Sequence, residues 1–164
     1  MRFFLIITFF KEVLPPDEDP QPFVNNSVYT NLISSLAIFF SNYTQCLINE
    51  KPISPKALDK ARCMVIPFDS KQNIHLEYEN YNGSQIKQAD VVLIGFPLMY
   101  NSMSKEVRKN DLLFYENRTR QNGPAMTWGM HAIGHIEIEN YKKADELLDR
   151  SFSLYVKEPF NVIL

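Results

Sequence analysis

Pro15-Pro16-Asp17-Glu18, followed a few residues on by Val24-Asn25-Asn26-Ser27-Val28-Tyr29-Thr30-Asn31, is the stretch on which the reading of this chain turns. Each proline fixes its own φ and biases the residue before it toward extended backbone. Two prolines therefore brace a carboxylate pair on a stiff loop, and acid catalysis needs a carboxylate held in place. Asn25 and Asn26 are good helix N-caps, and an apolar-periodic run follows them. The motif reads as a rigid acidic loop feeding a helix whose first turn is rich in Asn, Tyr and Thr. Those amides and hydroxyls can bond to the hydroxyls of a sugar. Taken alone, an Asp-Glu pair on a proline-rich loop is more often solvated surface.

Working outward, Val28, Leu32, Leu36, Phe39, Phe40 and Tyr43 keep helical period in a wide stripe from 27 to about 47. Ser54-Pro55 is an N-cap with proline at the first helical position, and it opens a short helix ending near Met64. Residues 65–69 read as extended, 74–78 alternate with period two, and 80–84 are turn material around Gly83. In 85–97 the β-branched content favours a strand, whereas the Lys87-Gln88-Ala89-Asp90 start favours a helix. Ser104 caps a helix through Val107, Leu112, Phe114 and Tyr115. A loop at 117–124 ends in Gly123-Pro124, and 125–138 are helical. Gly129 and Gly134 inside that helix each cost up to about 1 kcal/mol, which implies a packing reason. Asn140 starts a last helix, with Ala144, Leu147, Leu148, Phe152 and Tyr155 on one face, ended by Glu158-Pro159. The rhythm is that of an antiparallel helical array.

The 164 residues suffice for one domain with a core, and 45% apolar content excludes a disordered chain. Aromatics reach 13%, which suits a packed core first and sugar-stacking second. Net charge is −2 with no basic stripe, so nucleic acid is not an expected partner, and no basic segment marks an anionic membrane surface. Cys46 and Cys63 are too few for a disulfide framework and read as two buried thiols before a pair. Met1 to Phe10 is almost purely apolar after Arg2. It has the charged start and short apolar run of a signal peptide without a small-residue cleavage site, it is too short to span a bilayer, and a buried strand fits equally. A cytoplasmic location is favoured over a secreted one. Asn25, Asn42, Asn82 and Asn117 start glycosylation tripeptides, which matter only in a secreted protein.

His131 and His135 stand four apart on one helix, a chelating spacing, but residue 132 is alanine and no third ligand is obvious. A helix–helix contact is therefore the favoured reading, with no metal and no cofactor expected. Lys87 lies either in water at a helix start or, with Gln88, in a pocket donating to ligand hydroxyls; the first is commoner because lysine is seldom fully buried. Trp128 is core or sugar platform, core being commoner. No Ser-His-Asp set, phosphate loop or nucleotide fingerprint is present.

Three segments in this order, Pro15–Glu18 with Val24–Asn31, Lys87-Gln88-Ala89-Asp90-Val91-Val92, and Gly123-Pro124-Ala125-Met126-Thr127-Trp128, resemble glycoside hydrolase family 65. With Leu148-Asp149-Arg150-Ser151-Phe152 the chain looks most like the acid-trehalase-like animal branch. The resemblance covers about 12–162. It implies an all-α fold, an incomplete (α/α)6 barrel of the six-hairpin glycosidase type with a short irregular or β segment near 65–82. It also makes 86–95 helical. The expected organisation is an unmatched apolar N-terminus, 1–11, and a partial catalytic domain, 12–164.

The implied reaction is inverting hydrolysis of the terminal glucose of Glc-Gal-hydroxylysine on collagen-type substrates. Glu18 falls on the general acid, and Lys87 and Gln88 fall on the glucose-binding pair. Phosphorylase relatives carry a Ser-rich phosphate motif where Gly123–Trp128 stands, so water is the implied nucleophile. Inversion sets acid and base ~6.5–9.5 Å apart, with the acid's pKa raised, here aided by the neighbouring Asp17. The family motif continues Asp-Glu-Tyr-His, whereas this chain has Asp-Glu-Asp-Pro. The base is expected just past Phe160, and the upstream Trp-Asp pair of the sugar site has no counterpart. The expectation is thus a glucosidase lineage with this chain weak or inactive by itself. The alternative is a non-catalytic glycan-binding or interaction protein from the same family. Either way the partner is a carbohydrate, and uncovered apolar faces predict self-association.

Overall fold

A computed structural model describes residues 23–159 and 162–163. Among the described residues six helices dominate: α1 Val28–Leu47, α2 Pro55–Arg62, α3 Asp90–Gly95, α4 Lys105–Glu116, α5 Ala125–Glu137 and α6 Tyr141–Ser153. Four two-residue strands complete the elements: β1 Phe68–Asp69, β2 Ile74–His75, β3 Val156–Lys157 and β4 Val162–Ile163. They form two antiparallel pairs, β1 with β2 and β3 with β4.

The helix starts follow the serines. Ser27 Oγ accepts from the Thr30 amide at 3.4 Å, Ser54 Oγ from Ala57 at 3.3 Å and Ser104 Oγ from Val107 at 3.2 Å. Each satisfies a donor that the first turn would leave unpaired. The cap of α1 is therefore Ser27 and not Asn25 or Asn26, because the asparagines are used elsewhere. Asn26 has φ 52° and donates to Glu79 at 3.1 Å while accepting from Asn31 at 3.2 Å. The Asn25 carbonyl accepts from the Glu79 amide at 3.0 Å. These bonds, with Val28 N to the Glu77 carbonyl at 2.9 Å, tie the entry of α1 to 77–79.

Two clusters make the core. The larger joins Val28 and Leu32 of α1, Val91 and Ile94 of α3, and Leu112 and Tyr115 of α4. The smaller is Trp128 and Ala132 of α5 against Leu147 of α6, with Tyr155 packed on it. The connection 138–140 is three residues long, the length of an antiparallel helical hairpin, and Glu139 takes φ 65° within it. The two glycines of α5 differ. A Cβ at Gly134 would stand 2.5 Å from Leu112 Cδ2 and 2.8 Å from Arg108 Nη2, so α4 needs that glycine. A Cβ at Gly129 would meet only Ser151 Cβ, at 3.9 Å. Arg108 itself is buried and binds the Val92 carbonyl at 2.8 Å and Glu137 at 2.8 Å, joining α3, α4 and α5.

Several sequence expectations shift. Helix in 86–95 begins only at Asp90, because Ile86 is drawn into a parallel bridge with Thr119. The last helix stops at Ser153 and not at Glu158-Pro159; Tyr155 is anchored outside it and Val156 and Lys157 pair with β4. The apolar stripe of α1 is covered only in its first half. Val28 and Leu32 are buried, whereas Phe40, Tyr43 and Leu47 are 68%, 59% and 62% exposed. The thiols are free, as expected, but not buried: Cys46 is exposed and Cys63 half-buried. In 74–78, only Leu76 is not fully buried, so the period-two pattern is hydropathy without a wet face. No helix of the described residues is long and apolar enough to cross a membrane.

Candidate functional site

The segment carrying Lys87 and Gln88 is clamped by the loop before α5. Ile86 N donates to the Arg118 carbonyl at 3.0 Å, and Arg120 N donates to the Ile86 carbonyl at 2.9 Å. Gly123 then passes so close that an added Cβ would stand 2.6 Å from the Lys87 carbonyl oxygen. Only glycine fits at that approach. Tyr155 Oη donates to the Gly123 carbonyl at 2.8 Å and accepts from Trp128 Nε1 at 3.1 Å. The Arg150 guanidinium lies 3.6 Å over the Trp128 ring and donates to the Gln121 carbonyl at 3.0 Å. Trp128 is thus core, as expected, and its polar edge holds the loop in shape.

Two adjoining cavities open on this clamp and share Met126 and Met130 as a wall. Lys87, half-buried, lines the larger, of about 770 Å³, with Asn122, Phe152 and Tyr155. Gln88 lines the smaller, of about 220 Å³, with Tyr29, Thr127 and His131. The first turn of α1, the Lys87-Gln88 segment and the first turns of α5 therefore meet, and three motifs distant in sequence contribute to one surface. Glu18 lies outside the described residues.

The small cavity is lined by residues whose buried polar groups have no partner among the described residues. Thr127 Oγ1 and both ring nitrogens of His131 make no hydrogen bond among the described residues, although Thr127 is 5% and His131 0% exposed. Burial pushes the His131 pKa down to about 4, so the imidazole is neutral at ordinary pH. Its ring stacks on Trp128 at 5.8 Å. His135, one turn on, does make the helix–helix contact expected of the pair: Nε2 lies 3.4 Å from Glu116 of α4. Lys143 reaches the same carboxylate at 2.7 Å. Burial alone would raise the Glu116 pKa, but His135 and Lys143 outweigh it and bring it down to about 2. No group of three or more His, Cys, Asp or Glu is placed to hold a metal among the described residues.

Two carboxyls elsewhere have raised pKa values. Glu77 is fully buried, and desolvation followed by the Asp90 charge pushes it well up; Oε1 accepts from Val91 N at 3.3 Å, at the start of α3. Asp111 is raised by burial despite binding His75 through its amide and Nδ1, both at 2.8 Å. Neither lines the paired cavities; Glu77 bonds the start of α3, and Asp111 ties α4 to β2. They read as framework polar groups. Sequence reasoning named Lys87, Gln88 and His131 but gave Thr127 and Tyr155 no role at the site. The i, i+4 spacing of Thr127 and His131 was the available signal, since such residues share a helix face.

The described residues are similar in fold to a solved structure of a human-microbiome protein assigned as a kojibiose phosphorylase. The TM-score is 0.69 at 20% identity, over 85% of this chain and 24% of that one. The likeness gives the fold class: part of the (α/α)6 barrel of the six-hairpin glycosidases. In sequence, the chain is 45% identical over 152 residues to a protein-glucosylgalactosylhydroxylysine glucosidase of Dictyostelium discoideum, covering 92% of this chain and 21% of that protein. It is 44% identical over 153 residues to the glucosidase of the same name from Danio rerio, covering 93% and 23%. The resemblance to glycoside hydrolase family 65, on the side of these glucosidases, therefore extends over nine-tenths of the chain. It spans between a fifth and a quarter of the length of these relatives. No family model matches it.

Proposed function

We propose that this chain carries part of the glucosyl-binding site of an inverting α-glucosidase acting on the terminal glucose of a Glc-Gal-hydroxylysine unit. Lys87 and Gln88 grip the glucose, and Glu18 is the general acid that protonates the leaving oxygen. Two relatives more than 40% identical over nine-tenths of the chain are named for that substrate. The observation that carries the reading is local: Lys87 and Gln88 sit side by side on a clamped segment, each lining a cavity walled by α5. A polar lining of Lys87, Asn122, Gln88 and Thr127 with methionine and aromatic walls suits a sugar, whose ring offers hydroxyls at its edge and C–H groups on its faces. Residues 12–164 form the partial catalytic domain in this reading, with 1–11 outside it.

Single-turnover release of glucose from glucosyl-galactosyl-hydroxylysine tests this, with the released anomer followed by NMR. Any released sugar is β-glucose from the α-linked substrate, and Glu18→Gln stops its release. Robust turnover insensitive to Glu18→Gln, or release of α-glucose, contradicts the assignment. Binding without release, lost in Lys87→Ala and Gln88→Ala, is the signature of a glycan-binding protein instead.

A further inference from the structure

We propose that Thr127 and His131 are sugar-positioning residues, bonding ring hydroxyls of the same glucose that Gln88 holds. The proposal rests on the glucosyl-site reading above and extends it to two residues that reading does not use. Three observations carry it. First, Thr127 and His131 line the cavity beside Gln88, and the Thr127 hydroxyl and both His131 nitrogens are buried with no hydrogen-bond partner among the described residues, the two residues being 5% and 0% exposed. Buried polar groups are nearly always satisfied, by protein, by water or by a ligand. Second, the two side chains stand four residues apart on α5 and so project from one face, beside Tyr29 from α1. Third, the cavity of about 220 Å³ lies below the roughly 300 Å³ lower end for drug-sized ligands, a size for one sugar ring and not for an oligomer.

The chemistry of the pair selects the ligand class. A neutral imidazole offers one N–H donor and one acceptor nitrogen, and a threonine hydroxyl offers one donor and two lone pairs. A hydroxyl group complements both, since it donates and accepts at once. A carboxylate or phosphate would leave the acceptor nitrogen of His131 unanswered and would enter a pocket whose named lining residues carry no formal charge. The structure therefore points to a neutral polyhydroxylated ring.

The test uses the 164-residue chain, D-glucose as probe, calorimetry for affinity, and long-range 1H–15N NMR of the histidine side chains. The His131 nitrogens are expected to shift with glucose, along the calorimetric isotherm. His131→Phe keeps the ring and its stacking but removes both nitrogens, and is expected to weaken glucose binding about tenfold or more. Thr127→Val is expected to weaken it several-fold. His131→Gln, which restores a donor and an acceptor, is expected to recover part of the loss. Melting temperatures of the variants establish that they fold. The inference is overturned if glucose binding is lost in Gln88→Ala yet unchanged in His131→Phe and Thr127→Val, the result of a cavity that holds only water. No binding by the unsubstituted chain overturns the glucosyl-site reading and this inference together.

Discussion

Replacing either α5 glycine by alanine adds one methyl group to the same helix, yet the two substitutions should move stability in opposite directions. In a helix interior alanine gains about 1 kcal/mol over glycine through backbone entropy and helix propensity. At Gly129 nothing opposes that gain, because the new Cβ meets only Ser151 Cβ at the ordinary contact distance of 3.9 Å. Gly129→Ala should therefore stabilise by roughly 0.5–1 kcal/mol. At Gly134 the new Cβ would stand 2.5 Å from Leu112 Cδ2, 3.0 Å from Leu112 Cδ1 and 2.8 Å from Arg108 Nη2. Leu112 is fully buried, and Arg108 is held by Glu137 and the Val92 carbonyl, so neither can step aside cheaply. Overpacking of this kind costs about 1–3 kcal/mol, which exceeds the propensity gain. Gly134→Ala should destabilise by up to about 2 kcal/mol after that gain is subtracted. Urea unfolding followed by circular dichroism reads both. A Gly134→Ala protein as stable as Gly129→Ala would refute the close α4–α5 packing from which the numbers come.

Further outcomes follow from the same structure. Tyr155→Phe removes the hydroxyl that bridges Trp128 Nε1 and the Gly123 carbonyl, leaving a buried indole N–H unpaired; stability should fall by about 1–3 kcal/mol, and limited proteolysis should show faster cutting in 121–124. His131 has its pKa lowered from 6.5 to about 4, so its neutral form adds stability that is complete above pH 6.5 and lost as pH falls toward 4, about 3 kcal/mol in all. Urea midpoints at pH 7 and 4.5 should differ less in His131→Phe than in the unsubstituted chain, and an equal difference would contradict the buried neutral imidazole. Glu116, lowered from 4.5 to about 2, adds stability that is present above pH 4.5 and lost as pH falls toward 2. Glu116→Gln should flatten the stability profile in that lower window. Ser27→Ala removes the α1 cap and should cost about 1 kcal/mol in the same unfolding assay.

The helices were legible because their signals are local. Serine caps and 3.6-residue periodicity named α1, α2 and α4 within a few residues of their observed starts. The errors arose where distant segments intervene. Asn26 looks like a cap, but its amide is engaged by Glu79, 53 residues away. Ile86 begins an apolar run with helical credentials, but the 118–120 backbone pulls it into extended geometry. Tyr155 continues the apolar face of α6 in the sequence, yet its hydroxyl belongs to Gly123. The wide stripe on α1 was read correctly as apolar; the exposure of Phe40, Tyr43 and Leu47 depends on what packs there, which no periodicity encodes. At the site, motif order pointed to Lys87 and Gln88, whereas the unpartnered state of Thr127 and His131 is a property of three-dimensional surroundings alone.

The central claim is that the Lys87-Gln88 segment and the start of α5 together hold a glucosyl unit. Isothermal titration of the chain with glucosyl-galactosyl-hydroxylysine, repeated with the galactosyl-hydroxylysine that lacks the glucose, tests it most directly. The account predicts saturable binding of the first compound only, abolished in the folded Lys87→Ala and Gln88→Ala proteins. Equal binding of both compounds, or binding that survives both substitutions, would contradict it.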